Sequence, residues 1–385
     1  MISVCLGDVP NGMYSDPTMT ATGEYSFNCN QIELWSGGAA DDAHQRLIVW
    51  GGGHSDYAGN EVLVLNLSDT PSWERFTGPT MPVPYVYGNA WEGLKPYFVR
   101  RHDGGQYQPG ASPSSRHTYN GLQYVPYQNK LYSFGGSVAN IGYFSQETWA
   151  LDMGTKTWTL VGPPYSLAPN YPTGAYNPSN GHIVMHDKGT NLLDFDPHTN
   201  KWKTLANGYH VEDGTTAAID PVNNLFVVVS AGGAPDGTSY PSVQKYHTVL
   251  VFSLSAGYRL QDWKNAGCDL TYRNGGLAWD SALGLMVGYP GGGNQVYLLN
   301  TGPKDMVTPF GTVLSHKCLD VTISTKPSAV KGVDYPGDPD GTGRAANHGV
   351  FGRFAYFPSL DIFVLVNSRF QNAWILRLAA KSNAP

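Results

Sequence analysis

The sequence predicts an all-β protein, because its composition suits strands and turns and because a pattern of short apolar runs repeats along it. Of its 385 residues only 14% are charged, whereas Gly (46), Pro (27), Tyr (24) and Trp (10) are abundant. Aromatic residues favour strands, while Gly and Pro favour the tight turns that join them. The chain is also long enough to bury a large core.

The repeated unit consists of a turn with Asn or Asp, an apolar run, a glycine-rich break, a second apolar run and a strand with a tryptophan. The clearest copy covers residues 124–162, and six copies can be counted, of which the last two are degenerate. The strands of one unit are too short to bury their own faces, and radial stacking of four-stranded blades solves this problem. The sequence therefore predicts a single β-propeller over residues 1–385, with six blades favoured over seven.

Two features of the repeat predict how the blades pack and how the ring closes. Tryptophans are expected on the last strand of four blades, where an aromatic ring buries a large area between neighbours; they are Trp73, Trp158, Trp202 and Trp263. The last unit ends at Leu378 after its third strand, which leaves an open edge. We expect the N-terminal segment "MISVCLG" to pair with this edge and close the ring.

Three segments of the clearest copy resemble the kelch family of propellers, namely "SFGG" (133–136), "TWALD" (148–152) and "KTWTLV" (156–161). Within that family the segments "GGGHSDYAGNEV" (51–62) and "RHTY" (116–119) are similar to those of a bacterial and phage-borne group. The resemblance implies a kelch-type β-propeller and is compatible with a virion component. It implies no particular activity, because one fold serves many functions.

The assignment of strands a to d, from the axis outward, predicts which residues share a face. The b-to-c and d-to-a connections emerge on one side of the ring, which we call the first face. The b-to-c loop of the first unit carries His54 and Tyr57, and the segment before the second unit carries Arg116, His117 and Tyr119. Segments before later units add His210, Tyr272, Arg273, Arg344, His348 and Arg353. Residues 77–115 and 301–347 are expected to form long loops on this face.

A face rich in His, Arg and Tyr on a protein of net charge −6 predicts a site for an anionic ligand. One hypothesis is a binding module that captures a surface polymer, an acidic glycan, or docks on a partner protein. The alternative is a polysaccharide lyase that cleaves uronic-acid polymers by β-elimination. In that case Arg116 would neutralise the carboxylate, His117 or His54 would act as base, and Tyr57 would act as acid. A purely structural role for the His54 turn is the third interpretation.

Other features exclude or disfavour several classes of partner. The acidic balance argues against nucleic acid, and no apolar run is long enough to predict membrane insertion. No cofactor or metal is expected; Asp334, Asp338 and Asp340 offer carboxylates for calcium but lack the spacing of a calcium loop. Cys5, Cys29, Cys268 and Cys318 show no zinc spacing; buried thiols are the favoured interpretation, and their disulfide state stays open. No secretion signal is recognisable in the N-terminal residues, yet an extracellular or virion-surface location is favoured.

Overall fold

The computed structural model shows a β-propeller of six blades. It describes residues 35–52, 60–78, 112–113, 115–138, 145, 147–161, 171–187, 191–208, 211, 214–231, 247–255, 257–258, 260–263, 266–268, 275–324, 349–367 and 373–378. Among these residues the only helical elements are two short 3-10 helices, Pro126–Gln128 and Phe351–Arg353. None of the described segments forms a helix that is long and apolar enough to cross a membrane.

The first three blades are four-stranded antiparallel sheets. Blade 1 comprises β1 (Gly38–Asp41), β2 (Arg46–Val49), β3 (Leu63–Asn66) and β4 (Ser72–Arg75). Blade 2 comprises β6 (Leu122–Val125), β7 (Lys130–Phe134), β9 (Thr148–Asp152) and β10 (Thr157–Leu160), with the short strands β5 (Arg116–His117) and β8 (Ser137–Val138) paired beside it. Blade 3 comprises β11 (Thr173–Asn177), β12 (His182–His186), β13 (Leu192–Asp196) and β14 (Lys201–Ala206).

The other three blades follow the same order from the axis outward. Blade 4 comprises β15 (Thr216–Asp220), β16 (Leu225–Ala231), β17 (His247–Ser253) and β18 (Leu260–Trp263). Blade 5 comprises β19 (Gly276–Asp280), β20 (Leu285–Tyr289), β21 (Gln295–Leu299) and β24 (Cys318–Thr322), with a hairpin of β22 (Met306–Thr308) and β23 (Gly311–Val313) inserted before β24. Blade 6 comprises β25 (Phe354–Phe357), β26 (Ile362–Leu365) and β27 (Trp374–Leu376).

The blades close into a ring around one axis. The innermost strands β1, β6, β11, β15, β19 and β25 lie side by side, and β25 lies beside β1. Six apolar clusters fill the gaps between neighbouring blades. In the closing gap Leu47 and Leu63 of blade 1 pack against Phe357 and Val364 of blade 6. The prediction of an all-β propeller with six blades is confirmed.

The predicted tryptophans do pack between blades where their side chains are described. The buried Trp158 ring lies 5.0 Å from that of Trp50 in the gap between blades 1 and 2. Trp202 contacts Phe134 and Phe195 between blades 2 and 3, with ring centroids 5.3 and 5.0 Å away. Rings of this size bury a large apolar area between neighbouring blades.

The Asn and Asp signals of the repeat correspond to side chains that cap the hairpin turns on the side opposite the first face. The Asp220 carboxylate accepts the backbone N–H groups of Val222 and Asn223 at 2.9 and 3.0 Å. In blade 2 the backbone N–H of Thr155 donates to Asp152 at 2.9 Å, and this hydrogen bond lowers the pKa of the Asp152 carboxyl. Such local bonds explain why short polar side chains punctuate the repeat.

The prediction that one long loop covers residues 301–347 is wrong for the first part of that range. Residues 301–324 hold the β22–β23 hairpin and the fourth strand of blade 5, so the connection from blade 5 to blade 6 begins only after them. The hairpin is fixed because the Asn300 side chain donates to the carbonyls of Lys304 and Val313 at 2.8 and 3.0 Å. The insertion displaced the fourth strand from the position at which the repeat predicted it.

The interpretation of the cysteines as thiols is wrong for two of the four. Cys268 and Cys318 form a disulfide, which ties the segment before blade 5 to that blade's outermost strand. They are 50 residues apart in sequence, and closing a loop of that length stabilises the fold by about 4 kcal/mol in the chain-entropy picture. Cys5 and Cys29 lie outside the described residues.

Ring closure by the N-terminal segment stays a prediction, because residues 1–34 lie outside the described part of the chain. The third strand of the last unit is present as β27, as expected. Within the described residues, blades 6 and 1 are joined directly by the buried Arg353. Its Nε donates to the carbonyl of Ser36 at 2.9 Å, and its terminal nitrogens donate to the carbonyls of Val366 and Gly349.

We expect Arg353→Leu to destabilise the ring, because three buried carbonyl groups lose their donor. At ~1–3 kcal/mol for each unsatisfied group, the free energy of unfolding should fall by about 3 kcal/mol or more. Urea unfolding followed by tryptophan fluorescence measures this. The control is Arg377→Leu, whose guanidinium donates to Leu360 in an exposed position and whose loss should cost less than about 0.5 kcal/mol. Equal effects of the two substitutions would contradict a clamp at Arg353.

Candidate functional site

The segment that precedes blade 2 crosses the first face near the axis. Its strand β5 pairs Arg116 with Val138 and His117 with Ser137. The chain then turns sharply at Tyr119, which has a φ of 48°, and the N–H of Gly121 closes the turn on the Thr118 carbonyl at 2.7 Å. This turn places two consecutive side chains, Tyr119 and Asn120, where the inner strands converge.

Tyr119 and Asn120 bond to both neighbours of blade 2 and also to blade 4, which is not its neighbour. The N–H of Tyr119 donates to the Trp35 carbonyl of blade 1 at 2.8 Å. The Asn120 side chain donates to the carbonyls of Gly174 in blade 3 and Ala217 in blade 4, at 3.0 and 3.3 Å. Because these bonds converge from both sides of the ring, the two residues lie across the axis.

Four rings gather around that of Tyr119, and the five together form what we call the axial aromatic cluster. The cluster comprises Trp35, His117, Tyr119, Tyr171 and Phe351. The Tyr119 ring centroid lies 6.4 Å from Trp35, 4.9 Å from Tyr171 and 6.0 Å from Phe351. Tyr119 and Phe351 are buried, whereas Trp35 and Tyr171 keep part of their surface accessible. The cluster therefore presents two rings at its edge, supported by buried rings beneath.

His117 and Tyr119 face each other within this cluster. The Tyr119 hydroxyl lies 3.5 Å from His117 Nδ1, and the two rings meet edge to face at 5.8 Å. Both side chains are buried. A phenol beside an imidazole is a pair through which a proton can move.

The charge of Arg116 is balanced inside the protein. Its guanidinium is buried and donates to the Glu147 carboxylate and the Gly135 carbonyl, both at 3.3 Å. The same carboxylate accepts from the Trp149 indole at 2.9 Å. On the other side the guanidinium lies 5.9 Å from the Trp50 ring. These contacts hold β5 against blades 1 and 2, since a buried charge needs this degree of pairing.

The glycine-rich loop of blade 1 is attached at both ends to the same region. Near its start the N–H of Gly52, which has a φ of 87°, donates to the Ser36 hydroxyl at 3.0 Å, and the Trp50 carbonyl accepts from Thr118 at 3.2 Å. At its end the Asn60 side chain donates to the Pro113 carbonyl at 3.0 Å. The described ends of this b-to-c loop thus lie on the first face, beside the segment that carries His117.

The structure describes four of the predicted site residues and brings three of them together. The three that lie together near the axis are Arg116, His117 and Tyr119. Arg353 lies at the junction of blades 6 and 1. Their roles in ligand binding stay predictions. The others lie outside the described residues: His54, Tyr57, His210, Tyr272, Arg273, Arg344 and His348, together with the calcium candidates Asp334, Asp338 and Asp340.

Sequence reasoning missed Trp35, Tyr171, Phe351 and Asn120. Trp35 and Tyr171 stand just before an innermost strand, which is the same rule that selected Arg116 and His117. Trp35 was overlooked because β1 reads "GAAD", without the large apolar residues that mark the other inner strands. In blade 1 the repeat is recognisable only from β2 onward, so nothing in the sequence marked Trp35 as a residue that precedes an innermost strand.

A metal centre is not supported by the described residues. The one group of potential ligands among them is Cys268, Cys318 and Asp320. The two sulfurs of that group are bonded to each other and therefore cannot act as thiolate ligands.

Comparisons with known proteins place the chain in no family. No family model matches it, and no curated protein does. Among solved structures it is similar to TolB from Acinetobacter baumannii, with a TM-score of 0.39 and 8% sequence identity over 69% of this chain and 50% of that one. The chain thus spans half the length of that protein.

We expect Gly37→Ala to disturb the axial aromatic cluster. A Cβ at this position would lie 2.4 Å from the Tyr119 carbonyl oxygen, so backbone must move. Overpacking of this kind costs about 1–3 kcal/mol, and the near-ultraviolet circular dichroism of the aromatic rings should change. Gly78→Ala is the matched control, since its Cβ would meet nothing within 4 Å. An unchanged aromatic signal in Gly37→Ala would argue that Tyr119 does not lie against β1.

Proposed function

We propose that this protein is a carbohydrate-binding propeller that captures an acidic surface polysaccharide on its first face. The observation that carries the proposal is the axial aromatic cluster, where Trp35 and Tyr171 are partly accessible and flank the buried Tyr119. The flat C–H face of a sugar ring packs well against an aromatic ring, and a ring held from below loses little entropy on binding. A concave platform with a few polar groups at its rim is the usual form of such a site.

Preference for an acidic polymer would come from cations around the axial aromatic cluster, which we call the rim, and not from the cluster itself. Arg116 and Arg353 are buried and bonded within the protein. The cations that remain for this role are the predicted ones outside the described residues, namely His54, His210, Arg273, Arg344 and His348. Guanidinium groups at such positions would bind carboxylates in bidentate fashion.

We further propose a kelch-type propeller that works outside the cell or on a virion surface. The kelch type is supported by the "SFGG" and "TWALD" segments, which form the end of β7 and the strand β9 as that pattern expects. An oxidising location is supported by the Cys268–Cys318 disulfide, because such bonds persist mainly outside reducing compartments. If none of the sugar polymers bound, that result would point to a partner protein as the ligand in place of a glycan.

Trp35→Ala should weaken polysaccharide binding by about 10-fold or more, because one stacking ring is lost. Isothermal titration with alginate, polygalacturonate and hyaluronan, and with neutral dextran, measures this. The matched control is Tyr127→Ala, which removes a 45% exposed ring from the a-to-b turn on the opposite face. Equal losses in both variants would contradict the assignment of the first face, and no binding of wild-type protein to any of the four polymers would contradict the proposed function.

A lyase is the second candidate, and the pairing of His117 with Tyr119 favours it. In β-elimination a base removes the C5 proton, the C4–O bond breaks, and an acid protonates the leaving oxygen as the C4–C5 double bond forms. His117 and Tyr119 could exchange these protons. The role expected for Arg116 as neutraliser of the carboxylate loses support, because Glu147 already balances its charge.

Under the lyase hypothesis, Tyr119→Phe should lower the rate of release of unsaturated sugar by about 10²-fold or more while leaving binding nearly unchanged. Ultraviolet absorbance of the unsaturated product from alginate, polygalacturonate or hyaluronan measures the rate. Tyr127→Phe, which removes a hydroxyl bonded to the Gly181 carbonyl far from the first face, should retain full activity. Absence of unsaturated product from wild-type protein with every polymer would leave binding as the function.

A further inference from the structure

The first-face end of the propeller axis is filled by protein. Blades 1 and 3 are the neighbours of blade 2, yet Asn120 also bonds to Ala217 of blade 4, and the Tyr119 ring contacts Phe351 of blade 6. A two-residue segment can reach both of these non-adjacent blades only by lying over the centre of the ring. Phe351 in turn donates its N–H to the Gly275 carbonyl of blade 5 at 2.9 Å. All six blades are thereby linked across the axis.

The filling extends below the surface of the first face. Ala217 is the second residue of β15, so the Asn120 side chain reaches past the end of that inner strand. Beside it the hydroxyls of Thr173 and Thr215 bond to each other at 2.6 Å. Tyr119, Asn120 and Phe351 are all buried. A propeller commonly has a channel along its axis, but here packed side chains close the first-face end of the axis.

We infer that the polysaccharide is recognised by internal sugar units lying across the first face, and not by a chain end inserted at the axis. This inference rests on the proposed function. Enclosing a chain end needs a blind pocket, and the axial position where a propeller would offer one is occupied by Tyr119 and Asn120. Trp35 and Tyr171 instead come from blades 1 and 3, on either side of blade 2. Their rings lie 6.4 and 4.9 Å from that of Tyr119, and both residues keep part of their surface accessible around the filled axis.

The number of protein molecules bound per polymer chain tests this inference. Size fractions of alginate, polygalacturonate and hyaluronan are saturated with wild-type protein, and light scattering gives the mass of each complex. Internal recognition predicts that the bound number rises in proportion to chain length. It also predicts that a bulky protein coupled to the reducing end leaves affinity unchanged. One protein per chain at every length, or loss of binding after the end is blocked, would overturn the inference.

Two variants distinguish internal recognition from non-specific adhesion, and two further outcomes separate failure of this inference from failure of the proposed function. Non-specific adhesion would also scale with length, so Trp35→Ala must abolish the length-dependent loading and Tyr127→Ala must preserve it. Loading that survives Trp35→Ala would overturn the inference. Binding with a fixed stoichiometry would refute internal recognition and leave the proposed function standing. Failure of wild-type protein to bind any of the polymers would refute the proposed function and this inference with it.

Discussion

Six inner strands approach one another closely around one axis, and the packing of every blade follows from this approach. At the junction of blades 6 and 1 a Cβ on Gly352 would lie 2.1 Å from the Gly38 carbonyl oxygen, and at the next junction a Cβ on Gly276 would lie 2.4 Å from Phe354. Glycine at these positions lets neighbouring inner strands approach more closely than a Cβ would permit. The apolar clusters between blades can then form a continuous ring, because no Cβ at these positions holds the inner strands apart.

Convergence at the axis also determines which groups are left for a ligand. The carbonyls and N–H groups at the ends of the inner strands would be buried without partners, and Asn120, Thr118 and Arg353 satisfy them. These polar residues are therefore committed to the fold. Of the described residues of the aromatic cluster, Trp35 and Tyr171 keep part of their surface accessible, so the proposed ligand would meet a centre whose polar groups are already bonded.

The sequence predicted those parts of the molecule in which local chemistry decides the conformation. Asp152 and Asp220 cap turns by local hydrogen bonds, and Trp158 packs on the outer strand where the repeat placed it. What it could not predict depends on distant contacts. Whether Arg116 faces a ligand or Glu147 is decided by a partner 31 residues away. Likewise the Cys268–Cys318 bond spans an inserted hairpin that interrupts the repeat.

Under the proposed function, the pairing of the buried cations also limits how an acidic polymer would bind. A carboxylate placed over Tyr119 would lose its hydration and gain no cation there, because Arg116 is already paired with Glu147 and Arg353 with three carbonyl groups. In the proposed binding mode, the apolar faces of the sugars would therefore lie over the aromatic cluster and their carboxylates would point away from it. The ends of the glycine-rich loop at Gly52 and Asn60 are bonded to Ser36 and Pro113 beside the cluster. A polymer that alternates apolar faces with outward carboxylates would satisfy this arrangement, which a small anion cannot do.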